Sequence, residues 1–185
     1  IAPKRKRHYL YSVSEYIEGQ TLAQWMLDNP EPDIATVRKI VSQIAKGLQA
    51  FHRQEMVHQD LRPNNIMIDN SGTVKIIDFG ATKVAGISEI VPKNEGLVGT
   101  AQFTAPEYFL GELGTSKSDL FSLGAITYKM LSGKLPYGNA IAKTRDRRSQ
   151  GRLKYQALSN HNNRIPGWLD YALRKAVHIT PFKRY

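Results

Sequence analysis

Eight residues, His58-Gln59-Asp60-Leu61-Arg62-Pro63-Asn64-Asn65, constrain this chain more than any other stretch. They crowd an acid, an imidazole, a cation and a carboxamide into what reads as a catalytic loop. An apolar helical run precedes them, and a β-hairpin pattern follows: Ile66-Met67-Ile68, a turn at Asn70-Ser71-Gly72, then Val74-Lys75-Ile76-Ile77. The second strand delivers Asp78-Phe79-Gly80. Asp60, Asn65 and Asp78 can therefore converge at one end of a hairpin, where two carboxylates and an amide oxygen suit a divalent metal beside a nucleophile. Asp78 carries the sharpest signal. A carboxylate ending an apolar strand, before a permissive Gly80, is costly unless a cation compensates it.

The totals bound the rest. With 185 residues the chain can form one domain that buries about 70% of its unfolded surface. There is no cysteine, which excludes disulfides and thiolate metal sites and suits a reducing cytoplasm. No apolar run approaches a membrane span. The formal charge of +10 could attract nucleic acid, anionic lipid or an acidic substrate. It sits in Lys4-Arg5-Lys6-Arg7 and in the segment from Lys143 to Lys154, neither interleaved with aromatics, so solvated surface is the simpler reading and no nucleic-acid partner is expected.

Along the chain, the β-formers of Tyr9 to Ile17 predict a strand running into a turn at Glu18-Gly19. Thr21 with Gln24 fits a capping box that opens a short helix, closed by Pro30 and Pro32. A long helix is predicted over Ile34 to Arg53, capped by Asp33, with Val37, Ile40, Val41, Ile44, Leu48 and Phe51 on one buried stripe. Met56 to His58 reads as a short extended piece. Ala81 to Val98 lacks periodicity and reads as a mobile segment. A buried helix is expected from Thr115 to about Ser132, ended by Gly133. Another is expected around Ala140 to Arg147, and a last amphipathic one starts at Pro166 and runs through Trp168, Leu169, Ala172, Leu173, Ala176 and Val177.

The order His-x-Asp-Leu-Arg-Pro-Asn-Asn, Asp-Phe-Gly, Gly99-Thr100, Ala105-Pro106-Glu107 and Ser118-Asp119-Leu120-Phe121-Ser122-Leu123-Gly124 resembles the eukaryotic-type serine/threonine protein kinases. The resemblance covers nearly the whole chain as the C-terminal lobe of such a kinase, and implies a mainly helical α+β fold with a short catalytic hairpin. Residues 1–18 would be the last strand of the small lobe and the hinge, and residues 19–185 the large lobe, with an activation segment over 78–107. The wording around His58 to Asp69 and Gly99 to Glu112 is also similar to bacterial soluble kinases, some of which are fused to a metal-dependent phosphatase domain.

The resemblance also implies roles. Asp60 would orient or accept the proton of the substrate hydroxyl, with Arg62 stabilising charge during transfer. Asn65 and Asp78 would hold Mg²⁺ bound to ATP. The backbone of Glu15 and Ile17 would meet the adenine edge, with Ser14 at the back of the pocket and Met67 at its floor. His58 would pack on Phe79, and Thr100 would bridge the catalytic aspartate and favour serine or threonine as acceptor. Glu107 would pair with Arg184, and Asp119 would hold the catalytic loop by its backbone.

The chain departs from the pattern at Gln59, where an arginine usually receives an activation-segment phosphate, and at Arg62, where lysine is usual. No Gly-rich phosphate loop, strand lysine or helix glutamate precedes the hinge, so the natural start is expected upstream. Residues 1–185 alone are expected to bind ATP weakly and catalyse little. The rival readings are a pseudokinase scaffold and a small-molecule kinase, against which the intact Asp60, Asn65 and Asp78 and the Ala-Pro-Glu motif respectively argue.

Overall fold

Gly19 leaves no room for a side chain: a Cβ there would stand 2.2 Å from the carbonyl oxygen of Ile68. That close approach belongs to a strand pairing. In this computed structural model, which describes residues 13–78, 80, 82–84 and 102–185, β1 (Gly19–Thr21) runs antiparallel to β3 (Ile66–Asp69). β3 in turn pairs with β4 (Val74–Ile76), giving the sheet order β1-β3-β4. The expected strand over Tyr9 to Ile17 is therefore corrected. Residues 13–17 carry no regular structure, residues 9–12 lie outside the described ones, and the predicted turn at Glu18-Gly19 is where the strand starts. Alternating β-formers need a partner edge, and the free edge of β3 is taken by β1. Val13 and Tyr16 are accordingly left 90% and 89% exposed.

Thr21 then caps α1 (Leu22–Asp28), its Oγ1 accepting the amide of Gln24 at 3.1 Å. Only half of the capping box forms, because the Gln24 side chain bonds to Asp28 instead. Asp33 caps α2 (Ile34–Arg53) through the amide of Thr36 at 2.7 Å. Val37, Ile40, Ile44 and Leu48 are buried on one stripe of α2, as their spacing predicts. The hydrophilic flank of α2 pins the hairpin: Gln43 donates to the carbonyl of Gly72 and accepts the amide of Val74. Gly72 itself has φ +80°, which the tight turn requires and a side chain would resist. Ile66 and Ile68 join the core while Met67, half-buried, alternates to the other face.

The remaining elements wrap α3 (Ser116–Ser132), capped by Thr115 and ended by Gly133. It is buried nearly all round, including Phe121, Ile126 and Tyr128, and α2 packs along it. The expected helix from Ala140 to Arg147 is corrected: a single 3₁₀ turn spans Ile141–Lys143, and α4 (Arg147–Gly151) starts where that helix was to end. Asp146 fixes the start by accepting the amide of Ser149 at 2.7 Å. α5 (Gly167–Ala176) follows Pro166, buries Leu173 and Ala176, and packs on α3. Trp168, one of the apolar residues through which that amphipathic helix runs, is 67% exposed. A two-stranded sheet of β2 (Met56–Val57) and β5 (Lys83–Val84) closes the site end, and the whole is a mainly helical α+β fold.

Candidate active site

The loop after β2 is held in a conformation that its sequence resists. Gln59 has φ +68°, and Glu55 and Asp78 have φ +56° and +62°, values unfavourable for residues with a Cβ. All three flank the same site. What holds Gln59 is a buried carboxylate at the start of α3. Asp119, 1% exposed, accepts the amide of His58 at 2.9 Å and that of Gln59 at 3.0 Å. His52, in the last turn of α2, donates to the same carboxylate at 2.9 Å. One aspartate thus ties α2, α3 and the loop together, with charge-assisted bonds that offset the backbone strain.

His58 is fully buried, its ring 6.0 Å from that of Phe51. Its expected neighbour Phe79 lies outside the described residues, as does Thr100. Beyond His58 the loop turns outward. Asn65, on a 3₁₀ turn over Pro63–Asn65, donates from Nδ2 to both the carbonyl and the carboxylate of Asp60, each at 2.9 Å. Arg62 stands close by, its Nε 3.6 Å from Asp60 Oδ2 and 3.5 Å from Asn65 Oδ1. Asp60, Arg62 and Asn65 therefore form one cluster of acid, cation and amide, about a third exposed at the two charged side chains. Such exposure leaves room for a substrate to approach.

Asp78 reaches this end through the backbone. The amide of Ile77 bonds to the carbonyl of Asn65 at 2.9 Å, so the two candidate metal-binding residues sit on neighbouring, hydrogen-bonded stretches. Asp78 is exposed, and one carboxylate oxygen accepts the Gly80 amide at 3.2 Å. The chemistry of this donor set fits a hard divalent cation. Both donor hydrogens of Asn65 are turned to Asp60, which leaves its oxygen, 3.5 Å from Arg62 Nε, with a lone pair to offer, and Asp78 adds an oxygen not used by Gly80.

The expected nucleotide-edge residues are less gathered. Ile17 is half-buried, while Ser14 and Glu15 are exposed. The Glu15 side chain pairs with Lys75 of β4 at 2.6 Å, a contact that ties residues 13–18 to the hairpin. Arg184 and Glu107 come together 77 residues apart, and Ser118 donates to the same carboxylate at 2.7 Å. Sequence reasoning missed three features of the site. The His52 contact to Asp119 had only a weak signal, a basic residue in a helix's last turn; the Lys75–Glu15 pair and the left-handed Gln59 and Asp78 had none.

The protein kinase domain family model matches residues 3–185. Among curated proteins the chain is 30% identical over 176 residues to serine/threonine-protein kinase PrkC of Bacillus subtilis, covering 95% of this chain and 27% of that protein. It is 31% identical over 177 residues to the probable serine/threonine-protein kinase CPE1738 of Clostridium perfringens, covering 95% and 25%. To drp72 of Corynebacterium efficiens, named a serine/threonine-protein kinase, it is 37% identical over 137 residues, covering 74% and 26%. The chain spans about a quarter of the length of these relatives. With its catalytic-loop, Asp-Phe-Gly and Ala-Pro-Glu motifs in order over the fold just described, the chain belongs to the protein kinase domain family.

Proposed function

We propose that this chain is the large lobe of a serine/threonine protein kinase that transfers the γ-phosphate of ATP to a protein hydroxyl. In this reading residues 1–18 form the link to a small lobe, residues 19–185 the large lobe, and 78–107 the activation segment. The observation that carries it is the Asp60–Arg62–Asn65 cluster on an Asp119-anchored loop. The relatives' names support serine and threonine as acceptors. Among the described residues no helix is long and apolar enough to cross a membrane, and the cysteine-free composition supports a cytoplasmic site of action.

Asp60 accepts a hydrogen bond from the substrate hydroxyl and takes its proton as the oxygen attacks, while Asn65 Nδ2 keeps the carboxylate aimed. Arg62 lies where negative charge gathers during transfer. Asn65 and Asp78 would hold magnesium with the nucleotide, and the ion would neutralise phosphate charge there. The Glu15–Lys75 pair steadies the stretch whose backbone would meet the adenine, and Met67 lies on the hairpin face turned from the core. His58 and Asp119 position the loop, and Glu107 with Arg184 anchors the substrate platform; Phe79 and Thr100, outside the described residues, keep only the roles that the resemblance implies.

The test is phosphoamino-acid analysis of a generic protein substrate after incubation of the full-length protein with Mg-ATP. Phosphoserine and phosphothreonine are expected; phosphotyrosine alone, or phosphate only on small molecules, contradicts the reading.

A further inference from the structure

The basic charge has a focus away from the catalytic cluster. Residues 143–185 carry eleven Lys and Arg against Asp146 and Asp170 only. Between α4 and α5 lies a hollow of about 380 Å³ into which both helices contribute an arginine, Arg147 and Arg174, with Gln150, His178 and Thr180 among the other polar residues that line it. Among the described residues no carboxylate lines it. The two aspartates of the segment are occupied elsewhere: Asp146 caps α4, and Asp170 accepts Tyr155 Oη and the amide of Leu158, each at 2.8 Å. Among the described residues Arg174 makes no ion pair, and stacks on the Tyr155 ring at 5.9 Å.

We propose that this hollow is a docking site for a phosphorylated side chain of a protein partner. Guanidinium forks from two separate helices match a group with two negative charges and three oxygens, whereas one carboxylate can satisfy only one fork. His178 adds a neutral donor. Its Nδ1 accepts the Thr180 amide at 2.9 Å, which leaves the proton on Nε2, and burial with Lys183, Arg184 and Arg174 nearby holds its pKa below the ordinary histidine value.

The shape argues against other polyanions. Tyr137 and Tyr155 are walls, not stacking platforms: their hydroxyls are held by the Val177 carbonyl and by Asp170, and their rings meet each other edge-on. Within the hollow, as lined by described residues, a nucleic acid would find no free ring to stack on, and a membrane surface would not enter a hollow. Glu112 acts as a resident competitor, paired with Arg147 at 2.5 Å on the exposed rim. The incoming phosphate must share or take that fork.

The site uses no residue of the catalytic cluster, so it can be tested without phosphotransfer. The full-length protein is titrated calorimetrically with an Ala/Gly peptide centred on phosphoserine, and with its serine and glutamate versions. Binding of the phosphopeptide alone is expected. Arg147→Gln and Arg174→Gln should each weaken it by about tenfold or more, since each removes charge-assisted bonds, and Glu112→Gln should strengthen it. Unchanged binding in the Arg147→Gln/Arg174→Gln double variant, with its thermal melt unaltered, would overturn the proposal. So would equal binding of the glutamate peptide, or no phosphopeptide binding at millimolar concentration. Arginine-dependent capture by anionic vesicles or single-stranded DNA, without phosphopeptide binding, would likewise overturn it.

Discussion

Arg184 and Glu107 form a two-pronged ion pair sealed from water, with Nη1 2.8 Å from Oε1 and Nη2 2.8 Å from Oε2. The arginine also donates to the carbonyls of Lys117, His178 and Ile179, so one side chain fastens the chain's end to the start of α3 and to the Ala-Pro-Glu turn. Removing it strands a buried carboxylate. Arg184→Met should cost about 3–5 kcal/mol in urea unfolding, and a cost under about 1 kcal/mol, as exposed pairs give, would show the pair to be structurally idle.

The same pair sets an acid limit. Burial pushes the Glu107 carboxyl up, but the Arg184 hydrogen bonds and charge, with Ser118, outweigh it and hold its pKa below the ordinary value. A depressed folded-state pKa means stability that is present above the unfolded value and lost as pH falls through the folded one. Unfolding free energy should therefore decline below about pH 4.5, the region of the ordinary carboxyl, and part of that slope should vanish in a Glu107→Gln variant.

Asp119 should matter to the loop more than its distance from the chemistry suggests. Asp119→Asn can keep one acceptor oxygen but must give up a charge-assisted bond to His52, His58 or Gln59. Each such bond contributes about 1.5–3 kcal/mol. Since Gln59 is held at φ +68° by this carboxylate, phosphotransfer should fall even at temperatures where the variant stays folded. Unchanged transfer by folded variant protein would show that the loop keeps its shape unaided.

Gln59 also bears on regulation. The resemblance implies that a switch working by a new arginine-phosphate contact lacks its usual receptor at this position, which is Gln59. Alanine variants of Thr82 and Ser88 should phosphorylate substrate within about tenfold of the phosphorylated wild type, since one lost charge-assisted contact is worth about that much. A larger gap would mean that another cation reads the phosphate.

Much of this was legible in the sequence, and the failures share a cause. α2 and α3 were readable because each carries its own evidence: Asp33 and Thr115 as caps, and apolar spacing in between. β1 was not, since three residues become a strand only by pairing with Gly19 against Asp69, fifty positions on. The tight fit at Gly19 gives that pairing a test. Gly19→Ala would press a Cβ into the backbone of Ile68, and should destabilise by about 1–3 kcal/mol as overpacking does. The start of α4 was misplaced although Asp146-x-x-Ser149 marks it, because the basic run around it shows no period. In the site, the loop residues were readable as a motif, while His52 and the Lys75–Glu15 pair depend on contacts between distant stretches that no local pattern records.

The most direct measurement is Mg-ATP-dependent phosphate transfer by the full-length protein to a serine/threonine protein substrate, set against its Asp60→Asn and Asp78→Ala variants. Loss of Asp60 should slow transfer on the order of 10²–10⁴-fold, and Asp78→Ala should abolish it with the fold intact by circular dichroism. Transfer that survives in both variants, or wild type that binds nucleotide and transfers nothing, contradicts the phosphotransfer reading.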